Sequence, residues 1–211
     1  MTNALETSSG QAPGEMSALE GGFAEAPVQS ARAFRAVLEA MARPGRIETV
    51  AGAQAPGLSV AGSVVLATLV DRTTPVFLAP GLDAGLPEWL AFHTGAPITG
   101  PSHCMFALGT WDALGPLSSY PIGTSEYPDR SATLIVECAD LAADGATLTG
   151  PGIRNTASLS LPETQAFQDN AALFPLGLDF VFTSDDRIAA LPRSTKVSRS
   201  SSEAVAQEGN S

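Results

Sequence analysis

Between residues 23 and 195, apolar runs of helix length and of strand length alternate along the chain. That alternation confines it to an α/β arrangement in which helices cover a sheet. The strongest strand pattern is Ala132 to Cys138, where Thr133-Leu134-Ile135-Val136 is β-prone throughout. Pro75 to Ala79 and Cys104 to Gly109 are further apolar runs. The first is flanked by proline at both ends and reads as an internal strand covered on both faces. Helical patterns cover Ala31 to Ala42, Leu58 to Asp71, Pro87 to His93 and Glu163 to Leu173. Arg46 to Val50, Ala146 to Thr149 and Ala157 to Leu161 read as short strands, and Ala113 to Arg130 has too many Gly and Pro for anything but a long loop. Leu178 to Thr183 and Arg187 to Leu191 read as a hairpin across Ser184-Asp185-Asp186, so the last third turns antiparallel and the sheet is mixed.

The first helix ends abruptly. Phe34, Val37, Leu38 and Met41 form an apolar stripe at i, i+3, i+4 and i+7, Ser30 is a candidate N-cap, and Pro44-Gly45 forbids continuation. Arg43 and Arg46 flank this stop. A cation in the last turn is already favoured by the helix macrodipole, worth about 0.3–1 kcal/mol. The same rigid corner also suits an anionic partner, and the residues alone leave both readings open.

Composition narrows the function classes. A chain of 211 residues, 44% hydrophobic, is long enough for one well-buried core and short for two large domains. We expect a single domain over residues 23–195, with disordered polar extensions at 1–22 and 196–211. With 22 acids against 11 bases, the formal charge of −11 repels nucleic acid and anionic lipid. No run approaches the roughly 18 apolar residues of a membrane span, and Met1 to Glu20 lacks the basic and apolar regions of a signal peptide. A cytoplasmic protein is expected. Cys104 and Cys138 each fall in a strand pattern and read as buried, reduced thiols.

Cofactor chemistry is restricted by what the chain lacks. The sequence contains no Walker loop, no G-x-G-x-x-G, no C-x-x-C and no H-E-x-x-H. Gly150-Pro151-Gly152 begins like a phosphate cradle, but proline removes a backbone donor. The single lysine, Lys196, stands at the start of the expected tail, which excludes a buried Schiff base and pyridoxal-phosphate catalysis. No cofactor is expected. His103 and Cys104, as neighbours on a strand, would face opposite sides, and no spacing recommends a metal site, so none is assigned. His93, at a helix end, reads as a capping histidine.

What remains is cationic. Arg43, Arg46, Arg130, Arg154 and Arg193 all stand at element junctions, where guanidinium forks either converge on a phosphate or carboxylate or pair with the chain's own acids. The candidate ligand-binding set is Arg43, Arg46, His93, Arg130 and Arg154. No nucleophile, base and orienter assemble from the sequence, so no catalytic residue is assigned.

Six ordered segments carry a family resemblance. They are Met41-Ala-Arg-Pro-Gly-Arg46, Leu69-Val-Asp71 with Thr74, Trp89-Leu-Ala-Phe-His93-Thr-Gly-Ala-Pro97, Leu148-Thr-Gly-Pro-Gly-Ile153, Phe174-Pro-Leu-Gly-Leu-Asp179 and Leu191-Pro-Arg-Ser-Thr195. Together, over about Phe23 to Thr195, the chain resembles the PhnH family of the bacterial carbon–phosphorus lyase system. The resemblance implies a three-layer α/β/α fold with a mixed sheet, similar to pyridoxal-phosphate-dependent transferases but without the cofactor. It also implies a homodimer that joins PhnG, PhnI and PhnJ in a core complex. With an ATP-binding subunit, such a system places an alkylphosphonate on the ribose C1 of ATP and displaces adenine, giving ribose 1-phosphonate 5-triphosphate. A radical iron–sulfur subunit then cleaves the C–P bond. Within this scheme the chain is expected to be a non-catalytic or accessory subunit. The alternative is a subunit that itself binds ATP or phosphonate and takes part in the transfer.

Overall fold

The computed structural model describes residues 19–199. In chain order its elements are α1 (Ala26–Ala42), β1 (Glu48–Thr49), α2 (Val60–Leu69), β2 (Val76–Leu78), α3 (Leu86–His93), β3 (Phe106–Thr110) and α4 (Trp111–Leu114). These are followed by β4 (Thr133–Glu137), β5 (Ala146–Thr149), β6 (Ala157–Leu159), α5 (Gln165–Ala172), β7 (Asp179–Ser184), β8 (Arg187–Leu191) and β9 (Lys196–Ser198).

Six strands form a mixed sheet in the order β1-β8-β7-β4-β3-β2. β2, β3, β4 and β7 run parallel, while β8 is antiparallel to β7 and β1 antiparallel to β8. The two-residue side-chain period divides the core. Ile135 of β4 and Val181 of β7 face a layer made by α1, α2 and α3, which contributes Val64, Val65, Leu86 and Trp89. Leu134, Val136, Phe180 and Phe182 face the other way, onto Leu114, Phe167 and a second sheet. There Phe167 meets Trp111 with ring centroids 4.8 Å apart and Phe180 edge-on at 4.9 Å.

The second sheet, β6-β5-β9, is antiparallel and contributes Leu148, Leu159 and Val197. This corrects the simple α/β/α expectation. The covering layer on that side is two short helices plus a small sheet, because Gly145, Gly150, Pro151, Gly152 and Pro162 deny the intervening chain a long helix.

Other expectations also change. α1 starts at Ala26 with Pro27 in its first turn, so Ser30 lies inside it, its hydroxyl donating back to the Ala26 carbonyl. The stripe that packs inward is Ala33, Val37 and Ala40, with Met41 partly buried against the same core, while Phe34 and Leu38 are 47% and 51% exposed. Small side chains let the helix lie close on α2 and β8, and that closeness outweighs the larger side chains one position away. β2 is an edge strand, extended only by a parallel bridge between Val76 and Ile98.

Pro101–His103 form a single 3-10 turn and Cys104 follows it, so the opposite-face argument for His103 and Cys104 does not apply. Cys138 stands just after β4. Both cysteines are free, and burial pushes each thiol up to about 11. Lys196 belongs to β9, paired with β5, rather than to a tail. At the other end the fold already engages Glu20 and Gly21, whose carbonyls accept from Trp89 Nε1 at 3.0 Å and from the Gln54 amide at 2.8 Å. The rest of the expected extensions, 1–18 and 200–211, lies outside the described residues.

The α2, α3, β4 and β7–β8 expectations hold with ends shifted by a residue or two. Asp71, in one of the six segments, accepts from the Thr73 hydroxyl and amide at 2.7 Å each. The hydroxyl bond, first, holds its carboxyl below the ordinary range.

Candidate functional site

Two places on the molecule concentrate ionisable side chains with geometry that sequence alone does not show. The first is the α1 corner. Pro44 is buried and Gly45 has φ +90°, with its Cα turned so closely onto β6 that a Cβ would lie 2.7 Å from that of Ala157. This bend sets Arg43 and Arg46 on one side. Arg43 pairs with Glu39 one helical turn back at 3.2 Å, and Arg46 pairs with Glu48 on β1 and reaches Glu39 at 3.9 Å. With Arg32 and Arg35 these residues line an open groove of about 460 Å³. Four arginines thus meet two glutamates, a local excess of two positive charges on a strongly acidic protein.

The remaining cationic candidates do not join them. His93 Nε2 lies 3.1 Å from the Glu20 carbonyl, which can only accept, so that nitrogen carries the hydrogen. The ring packs against Trp89 at 4.7 Å and Phe92 at 4.9 Å. From the last turn of α3, where the capping reading placed it, the ring also fastens the segment entering α1. Arg130 stacks over Tyr127 at 4.1 Å, and Arg154 is exposed in the turn before β6. Arg193 is clamped by Asp179, the Pro128 carbonyl and the Ser131 hydroxyl.

The second place is Glu137, which the sequence reading did not single out. It ends β4, the central parallel strand, at the carboxyl edge of the sheet, where open α/β folds present their ligand sites. Its Oε1 accepts from the Ser59 hydroxyl at 2.9 Å and the Thr183 hydroxyl at 3.0 Å, and its Oε2 from the Ser59 amide at 3.3 Å. Ser59 also accepts from the Gly62 amide and so caps α2. A Cβ at Gly62 would stand 1.9 Å from Glu137 Oε1, so only glycine admits the carboxylate to the helix start. Glu137, Cys138, Asp112, Asp140 and Ser160 line a cavity of about 500 Å³ at this edge. A larger cavity, about 720 Å³, lies between the long loop and α5, lined by Trp111, Leu117, Tyr120, Ile122 and Leu178, with Asp112, Glu163 and Asp169 also contributing.

Burial raises the Glu137 carboxyl above its ordinary range, against the opposing pull of the Ser59 and Thr183 hydrogen bonds. A carboxyl raised in the folded state binds its proton more tightly there than in the unfolded chain. Its stabilising contribution is therefore full below the ordinary range and lost as pH rises through the raised value. Glu137→Gln keeps an acceptor for the two hydroxyls but cannot titrate. Thermal melts from acid to above-neutral pH are expected to show the variant gaining on the parent as pH rises. Parallel curves would contradict this.

Comparison with known proteins identifies relatives along nearly the whole described chain. The family model described as bacterial phosphonate metabolism protein (PhnH) matches residues 21–198. A protein of Rhizobium meliloti (strain 1021), named alpha-D-ribose 1-methylphosphonate 5-triphosphate synthase subunit PhnH, is 38% identical over 193 residues, covering 85% of this chain and 95% of that protein. HtxG of Stutzerimonas stutzeri, provisionally named a C-P lyase subunit protein, is 30% identical over 196 residues, 84% of this chain and 95% of that one.

Proposed function

The chain belongs to the PhnH family of bacterial phosphonate metabolism proteins, and from that premise we propose that it is an accessory subunit of a carbon–phosphorus lyase system. It is needed when an alkylphosphonate and ATP are converted to ribose 1-phosphonate 5-triphosphate. The observation that carries this reading is the match across residues 21–198, together with 95% coverage of a relative named as a synthase subunit. In the same reading the chain is cytoplasmic, forms a homodimer, works beside PhnG, PhnI and PhnJ, and shares its layered fold with pyridoxal-phosphate-dependent transferases without using the cofactor. Among the described residues no helix is long and apolar enough to cross a membrane. Deleting the coding sequence is expected to abolish growth on methylphosphonate as the sole phosphorus source while sparing growth on inorganic phosphate. Undiminished growth on methylphosphonate would sink the proposal.

An accessory role is supported by what the candidate cations do. Arg43 and Arg46 hold Glu39 and Glu48, His93 holds the Glu20 carbonyl, Arg193 is enclosed, and Arg130 stacks on Tyr127, which leaves Arg154 exposed in its turn. Calorimetric titration of the isolated chain with ATP, and separately with methylphosphonate, is accordingly expected to show no binding heat. Saturable binding lost in Arg43→Ala or Arg46→Ala would instead favour the alternative, in which the subunit itself takes one of those anions.

A further inference from the structure

The outward face of α1 is chemically unusual. Phe34 and Leu38 stand one turn apart and about half exposed, although α1 buries a different stripe. At roughly 100° per residue, Ala31 and Ala42 fall beside them and are also exposed, which extends an apolar rail along the helix. Arg35 and then Arg32 and Arg43 follow round the same surface and lead into the groove shared with Arg46. Glu39 and Glu48 engage Arg43 and Arg46, whereas Arg32 and Arg35 have no carboxylate partner among the described residues.

We infer that this face of α1 is a docking surface for an acidic amphipathic segment of another protein, whose apolar side chains cover Phe34 and Leu38 and whose carboxylates meet Arg32 and Arg35. The inference deepens the accessory-subunit reading and rests on it. An aromatic and a leucine side chain next to guanidinium groups with no carboxylate partner among the described residues supply both parts of a protein hot spot, apolar anchor and bidentate donor. Charge argues against a second copy and against extended polyanions. A second copy packed on the same face would set one arginine rail against another, each with a surplus of two positive charges. Anionic lipid and nucleic acid are extended polyanions that would reach past the groove onto the rest of a chain of net charge −11, whereas a short acidic segment stays within it, and a free nucleotide leaves the apolar rail bare.

The test uses the full chain co-expressed with the other subunits of its phosphonate system, with a photo-crosslinking residue in place of Leu38. The expected adduct joins α1 to a peptide of another subunit in which Asp or Glu alternates with apolar residues at helical spacing. An adduct to a second copy, to the chain's own residues 1–18, to lipid or to a basic peptide overturns the inference, as does no adduct from an assembled complex. In parallel, Phe34→Gln with Leu38→Gln, and Arg32→Glu with Arg35→Glu, are each expected to weaken co-elution about tenfold or more. Melting temperature should hardly change, because these side chains are exposed. If both variants co-elute like the parent, the docking surface is refuted while the accessory reading stands. If the unaltered chain itself fails to co-elute, both fall.

Discussion

Replacing Arg193 by alanine is expected to destabilise the fold by about 3–5 kcal/mol, the range for breaking a buried ion pair from one side. Arg193 and Asp179 side chains are only 13% and 17% exposed, so this is not a surface pair that solvent screens. The guanidinium uses its whole fork. Nε donates to Asp179 Oδ1 at 3.1 Å, one terminal nitrogen to the Pro128 carbonyl at 2.7 Å, and the other to Asp179 Oδ2 and the Ser131 hydroxyl. Even the Arg193 amide donates to Asp179 Oδ1, at 2.9 Å. Alanine would leave a largely buried carboxylate, a carbonyl and a hydroxyl without this donor. At about 2–4 °C per kcal/mol for a chain of this size, the melting temperature is expected to fall by about 10 °C. Arg193→Lys should recover part of the loss, since one ammonium cannot span the same four acceptors. A fall of about 1 °C for the alanine variant would show that the clamp contributes no more than an exposed pair.

The same clamp explains why some of the chain was legible and some was not. The period of β4 and the all-apolar faces of α2 are local signals, and both elements appear where the sequence places them. The registry of side chains across the molecule is not local. Glu137 binds Ser59 and Thr183 from 78 and 46 residues away, and nothing beside it in the chain announces those partners. One hint is Gly62, a glycine inside the largely apolar α2, which signals a close approach by something. The arginines were recognisable as junction residues, yet whether they bind a ligand or one another's segments depends on acids that the sequence does not pair. In α1 two stripes that share Val37 compete, and tight packing on α2 favours the smaller side chains over Phe34 and Leu38. Family resemblance succeeded where local patterns failed because its segments lock together in pairs. The Phe174–Asp179 and Leu191–Thr195 segments meet through Asp179 and Arg193, and the Met41–Arg46 and Leu148–Ile153 segments meet through glycine.

That second junction carries the other large expected effect. A Cβ at Gly152 would stand 1.9 Å from the Ala42 carbonyl oxygen and 2.9 Å from its carbon, both backbone atoms at the end of α1. No rotamer relieves such a contact, so Gly152→Ala must move either the turn or the helix end. Its φ of +78° adds the left-handed penalty, about 1–2 kcal/mol for an L-residue, to about 1–3 kcal/mol for overpacking. A total loss near 2–5 kcal/mol is expected, and it should fall on the corner that aims Arg43 and Arg46. Two controls separate the causes. Gly81 has φ +93° but nothing within 4 Å of where a Cβ would stand, so Gly81→Ala should show the conformational penalty alone. Gly100 has open space and no positive φ, so Gly100→Ala should be close to neutral. Chemical denaturation of the three variants is expected to rank them Gly152, Gly81, Gly100 in order of destabilisation. If Gly152→Ala cost no more than Gly81→Ala, the α1 end would not be pinned by the Gly-Pro-Gly turn, and the corner that aims Arg43 and Arg46 would not be held by it.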